Sequence, residues 1–228
     1  MEKKKRKRRI IIIAAISVAA LVAVIVGINV IMMLSESSKM NPLDTGDVIP
    51  GVYVIKDGFV NVYLLDAGGG KYVAIDAGTS ASNVKKGLDM LGISGEDVIA
   101  VLLTHTHADH TGALNVFSNA AIYGNASNFS KISVTLSDGG KTEVAGFSVQ
   151  CISTPGHSGD SVCYLIDGKY LFTGDTLSLN NDKVELFNST FNSSDEQQRA
   201  DIDKLSSIGG VSYIFTAHYG FTSRAVFD

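Results

Sequence analysis

Five histidines and two cysteines are all that 228 residues contain, and beyond residue 34 the chain is short of positive charge. Twelve Lys/Arg there face 22 Asp/Glu, a net of −10. A surface of that sign repels phosphate backbones, so nucleic acid is not an expected partner. Between residues 10 and 34 charge is missing altogether, and neither an A-x-A cleavage pattern nor a lipid-attachment cysteine closes that stretch. Both absences argue against a cleaved signal peptide. Internal repeats and low-complexity tracts are lacking too. The length, 45% apolar residues and 23 glycines suit one sizeable, loop-rich domain.

The opening MEKKKRKRR concentrates seven of the 19 basic residues. The apolar run that follows, 10–34, is interrupted only by Ser17 and Asn29. As a helix it would measure about 37 Å, against about 30 Å of bilayer hydrocarbon. We therefore expect a basic cytoplasmic tail (1–9), an uncleaved transmembrane anchor (10–34), a polar linker (35–50) and a domain at 51–228. The positive flank places that domain outside the plasma membrane.

Three β-type runs at about 51–56, 60–66 and 71–76, split by Asp-Gly and Gly-Gly-Gly turns, predict an antiparallel meander. Residues 80–92 read as a helix with a serine start and a glycine stop. Residues 97–104 read as a buried strand, and His110 to about Asn119 as a further helix. Short strands fill 121–153, and Asp167-Gly168 turns a hairpin within 161–175. A helix at 194–208 and a last strand at 211–218 complete a mixed pattern of sheets covered by helices.

Three of the five histidines crowd into THTHADH, which carries His105, His107, Asp109 and His110 at a strand end. Histidines two apart on extended chain point the same way. Imidazole and carboxylate without thiolate suit a borderline cation such as zinc. His157 in TPGHSGD, Asp175 in FTGDT and His218 in FTAHYG repeat one pattern, an apolar strand delivering a donor side chain to a loop. Singly, His157 or His218 would more often be an ordinary surface or core histidine. Together they account for every histidine in the chain.

These motifs, with Asp76 in IDAG, resemble the metallo-β-lactamase-fold hydrolases over nearly all of residues 50–220. The resemblance implies an α+β fold, an αββα sandwich of two mixed sheets face to face with helices outside. It implies that His105, His107 and His157 hold one metal, that Asp109, His110 and His218 hold a second, and that Asp175 bridges them. Asp76 would support a ligand rather than be one. The implied chemistry is hydrolysis by a metal-bound hydroxide attacking a carbonyl, with Asp109 and Asp175 as catalytic carboxylates and Asp109 a proton shuttle. Two Zn2+ are expected, with iron or manganese as alternatives.

The aspartate at 175, where the best-studied β-lactamases have cysteine, resembles hydroxyacylglutathione hydrolases, lactonases and thioesterases. Only ten residues follow His218, so the helical domain that grips glutathione thioesters is not expected. The expected substrate is a small ester, lactone, thioester or lactam. A mononuclear iron sulfur dioxygenase and a phosphodiesterase of the same fold are the alternatives. Cys151 and Cys163 would face each other if Ser153 opposes Ser161, which would allow a disulfide; two buried free thiols are the rival reading. The polar segment 180–200, with Leu186, Phe187 and Phe191 embedded, is placed to overhang the site.

Overall fold

Alternation in the first strands sorts side chains between two cores. Along β2 (Val52–Asp57) and β3 (Val60–Gly68), Val52, Val54, Tyr63 and Leu65 face one way, and Ile55, Val62 and Leu64 the other. The computed structural model describes residues 2–126, 128–223 and 227. Met1 of the expected tail, and residues 127, 224–226 and 228 of the expected domain, lie outside the described residues.

Two units separate, Met1–Lys39 and Met40–Asp228. The first is helix α1 (Glu2–Ser37), which begins before and ends beyond the expected span of 10–34. Its window Ile11–Ile28 has a mean hydropathy of 3.1 with none of it buried, long and apolar enough to cross a membrane.

In the second unit a seven-stranded sheet runs β1 (Gly46–Ile49), β2, β3, β4 (Lys71–Ile75), β5 (Val98–Leu102), β6 (Ala121–Gly124) and β7 (Val134–Thr135). β1 to β4 pair antiparallel and β4 to β7 parallel. The six-stranded sheet joins β8 (Lys141–Val144), β9 (Phe147–Ser153), β10 (Val162–Ile166) and β11 (Tyr170–Phe172) to β14 (Tyr213–Phe215) and β15 (Phe221–Thr222). β12 (Leu177–Asn180) and β13 (Lys183–Leu186) form a separate hairpin. Val54, Tyr63 and Leu102 of the first sheet share a core with Cys151, Tyr164 and Phe172 of the second. The outer face of the first sheet packs on α2 (Ala81–Leu91) through Val84 and Leu88. That of the second packs on α4 (Asp195–Ser206) through Leu205. The order of layers is therefore α/β/β/α, as expected.

Three expectations change. The linker reading for 35–50 stops at Lys39, because buried Asn61 accepts from Leu43 N (2.8 Å) and donates to Leu43 O (2.9 Å), and β1 pairs with β2. The helix from His110 to Asn119 is only one turn, α3 (Ala108–Thr111), followed by a 3-10 turn at Leu114–Val116. His110 O accepts from Ala77 N and Ala113 N donates to Gly78 O, so tertiary bonds take the groups a longer helix would use. Within the polar segment 180–200, Asn181 and Asp182, both at positive φ, turn the β12–β13 hairpin. On β9 and β10 the pairs are Cys151↔Tyr164 and Ile152↔Cys163, one residue off the expected register. That slip sends the cysteines to opposite faces of the sheet, and both are free thiols.

Candidate metal centre

The donor side chains leave the sheets where strands end side by side. β4 and β5 run parallel, so Asp76 and the loop from Thr104 emerge together. β11 and β14 do the same for Asp175 and His218, pinned by Thr173 N to Phe215 O (2.9 Å) and Ala217 N to Gly174 O (3.2 Å). Val162 N donates to Thr104 O (2.8 Å) and Tyr164 Oη to Leu103 O (2.7 Å), which ties the two sheets together beside the loops. Gly174 has φ 53°, and a Cβ there would lie 2.5 Å from Thr104 Oγ1. Only glycine lets that turn close onto the His105 loop.

All seven expected donors converge, in two sets whose donor atoms lie within 4.8 Å of one another: His105, His107 and His157, and Asp109, His110, Asp175 and His218. Asp175 reaches both. Its Oδ2 lies 3.5 Å from His157 Nε2 and 3.8 Å from His105 Nε2, while Oδ1 lies 3.4 Å from His110 Nε2 and 3.1 Å from His218 Nε2. His107 Nδ1 sits 3.0 Å from His157 Nε2. Asp109 Oδ2 is 3.6 Å from His110 Nε2 and 3.5 Å from His218 Nε2. His107 is exposed and Asp109 half-buried, and the other donors are buried, so access is from their side.

The far nitrogens are tied down. His110 Nδ1 meets Asp76 Oδ2 at 2.8 Å, His218 Nδ1 donates to Phe59 O at 2.7 Å, and His157 Nδ1 faces Asn192 Oδ1 at 3.3 Å. A proton held at Nδ1 leaves the Nε2 lone pair for a cation. Asp76 thus sits behind His110, against the nitrogen that faces away from the other donors.

Electrostatics point the same way. Burial lowers His105 well below its ordinary value, and burial also lowers His157. Burial opposes charge on His110, yet Asp175, Asp76 and Asp109 outweigh it and raise that imidazole well above its usual value. Burial likewise opposes charge on His218, and Asp175 outweighs it. Burial would raise Asp175, but His218 and His110 hold it well below the carboxylate range. The carboxylates thus call for positive charge between them, from protons or from metal. His105 Nε2, His110 Nε2, His218 Nε2 and Asp175 Oδ1 are buried without a hydrogen-bond partner among the described residues. Buried polar atoms are rarely left so. The His/Asp donors and these facing orphans fit a dinuclear metal site.

Sequence reading passed over Thr104, Asp160, Asn192 and Gln198. Thr104 opens THTHADH and Asp160 closes TPGHSGD, but Asn192 and Gln198 reach the site only through folding. Asp160 Oδ2 accepts from Thr106 N (2.9 Å) and its Oδ1 from Ser158 Oγ (2.8 Å), joining the loops of His105 and His157. Phe187, on the segment expected to overhang, packs edge-on to His157 at 5.2 Å and lies 5.6 Å from His218.

A family model described as the metallo-beta-lactamase superfamily matches residues 55–218. The chain is 34% identical over 126 residues to a hydroxyacylglutathione hydrolase of Hahella chejuensis, covering 52% of this chain and 47% of that protein. It is equally similar to the lactamase-like protein adaB of Aspergillus niger, over 51% of this chain and 38% of that one. The chain thus spans half or less of the length of these relatives. A metallo-beta-lactamase family protein from Thermus thermophilus shares the fold, with a TM-score of 0.62 at 21% identity over 78% of this chain and 76% of that one.

Proposed function

The chain belongs to the metallo-beta-lactamase superfamily, and on that premise we propose a binuclear metal-dependent hydrolase of small carbonyl compounds. The observation that carries the reading is Asp175, whose two oxygens each face a different donor set. That placement supports His105, His107 and His157 as ligands of one ion, Asp109, His110 and His218 as ligands of the other, and Asp175 as the bridge. Donors of N and O type without thiolate favour zinc. Two bound cations would supply Lewis-acid activation of water and of a substrate carbonyl. The chain's own residues do the rest. Asp76 and Phe59 O orient His110 and His218 from behind. Asp109, half-buried at the accessible side, is placed to carry a proton between solvent and the reacting centre.

The name of the Hahella relative favours an acyl substrate. Phe59 stacks on His218 at 5.7 Å, and the partly exposed Phe191 and Tyr219 each lie 6.1 Å from Phe187. Such a wall favours an apolar acyl or ring portion. Helix α1 would anchor the chain in the plasma membrane, its basic flank holding the N-terminus in the cytoplasm and Met40–Asp228 outside.

The test is metal analysis of the purified chain, followed by assay on lactones, thioesters, β-lactams and phosphodiesters. About two zinc ions per chain with turnover of a carbonyl substrate is expected. A single iron would replace the proposal with an oxygenase, and no bound metal would end it.

A further inference from the structure

We infer that Asn192 and Gln198 are positioning residues, an amide pair that fixes His157 in the tautomer with its proton on Nδ1. The logic rests on which end of each amide is nitrogen. Gln198, wholly buried on α4, places Nε2 3.1 Å from the backbone oxygen of Asp175, which can only accept. That orients the glutamine. Its Nε2 also reaches Asn192 Oδ1 (3.0 Å), and its Oε1 accepts from Asn192 Nδ2 (2.7 Å). Asn192 is held from a second direction as well, since its Nδ2 faces Phe187 O at 2.9 Å and Asp195 Oδ1 at 2.8 Å. Turning this amide over would set an oxygen against three oxygens. Asn192 Oδ1 is therefore the atom 3.3 Å from His157 Nδ1, and an oxygen without hydrogen requires that nitrogen to donate. The Nε2 lone pair is left facing His107 Nδ1 and Asp175 Oδ2.

The backbone enforces this contact. A Cβ on Gly156 would lie 2.4 Å from both Cα and N of Gln198, so only glycine lets the His157 loop dock on the helix. Gly156 N donates to buried Asp201 Oδ2 (2.8 Å), and Ser193 N and Ser194 N donate to the oxygens of His157 and Gly156 (2.9 Å each). The carbonyl of one proposed ligand, Asp175, thus sets the protonation site of another, His157, through two amides, with the Asp195 carboxylate holding the second amide.

Nitrogen-15 NMR of the full chain in detergent, freed of metal and at alkaline pH, reads the tautomer directly, with only five imidazoles to assign. Wild type should show His157 protonated at Nδ1. Gln197→Ala removes the bond to Asp201 that steadies the Gly156 turn, leaves Asn192 untouched, and should leave the tautomer unchanged. Asn192→Leu loses the acceptor facing His157 and the Nδ2 donors, and should shift His157 toward the Nε2–H form that free imidazole side chains prefer. Its zinc affinity, measured against a competing chelator, should fall roughly 10–100-fold. A wild-type ring protonated at Nε2 overturns the inference, as does an equal shift in both variants, which would mean a merely loosened turn. The wild-type spectrum decides alone if either variant fails to fold. The consequence for metal rests on the proposed function, but the tautomer does not: Nδ1–H with no zinc uptake would sink that function and leave this pair standing.

Discussion

Asp76 Oδ2 lies 2.8 Å from His110 Nδ1, and the same carboxylate accepts the amide and the hydroxyl of Thr104, each at 2.8 Å. Both residues are buried, and Asp76 holds φ 61°. Asparagine tolerates that left-handed backbone as aspartate does, so Asp76→Asn changes charge and proton preference with little backbone strain. An amide NH2 turned toward His110 would leave the imidazole proton on Nε2, where the proposed ion would sit. We expect the fold to persist and affinity for one of two zinc ions to fall roughly 10–100-fold, read by competition titration. Two undiminished binding events would remove Asp76 from its supporting role.

Cys151 and Cys163 make a second, independent expectation. Burial first of all pushes their thiols up, to about 12 and about 11. A raised value means little thiolate near neutrality, and thiolate is the reactive form. In native protein at about pH 8 both should resist iodoacetamide, and both should react once the chain is unfolded in denaturant. Intact mass should be the same with and without reductant. A loss of two mass units without reductant would restore the disulfide that the β9–β10 register argues against.

What was legible in the sequence is what short spacing encodes. Ser80 and Gly92 bracket α2 as expected, Ser80 accepting from Asn83 N and Gly92 in the left-handed conformation, because caps act within a few residues. The crowding of His105, His107, Asp109 and His110 announced a site for the same reason. The register of Cys151 against Tyr164 was not legible, since apolar residues stand on both faces of that pair and pattern alone allows a one-residue slip. Nor were the partners of the site. Asn192 meets His157 across 35 residues and Gln198 meets Asp175 across 23, with no local motif to mark either.

Asp160 gives the pH dependence. Burial raises its carboxyl, but hydrogen bonds from Thr106 and Ser158 outweigh burial and hold it below its usual value of 3.8. A depressed carboxylate contributes stability that is complete above the unfolded value and is lost as pH falls through the folded one. Asp160→Asn should therefore be less stable than wild type by about 1 kcal/mol near neutrality, a figure kept small because the group is partly exposed. The two unfolding curves should converge as pH drops below 3.8. A gap that stays constant into strong acid would show that the loops do not depend on this charge.

Metal removal tests the centre without any substrate. Among the described residues His105 Nε2, His110 Nε2, His218 Nε2 and Asp175 Oδ1 lack hydrogen-bond partners, so the folded state carries an unmet need that a cation would relieve. The unfolded chain holds no such preformed cluster, and binding to the folded state alone raises stability by RT ln(1 + [L]/Kd). At a thousand times Kd that is about 4 kcal/mol, which for a domain of this size corresponds to a rise of roughly 8–16 °C in Tm. Chelation should reverse the shift, and zinc should restore it where calcium, which prefers six to eight oxygens, does not. A melting temperature indifferent to both chelator and zinc would mean that protons alone balance Asp175, and that these histidines hold no metal.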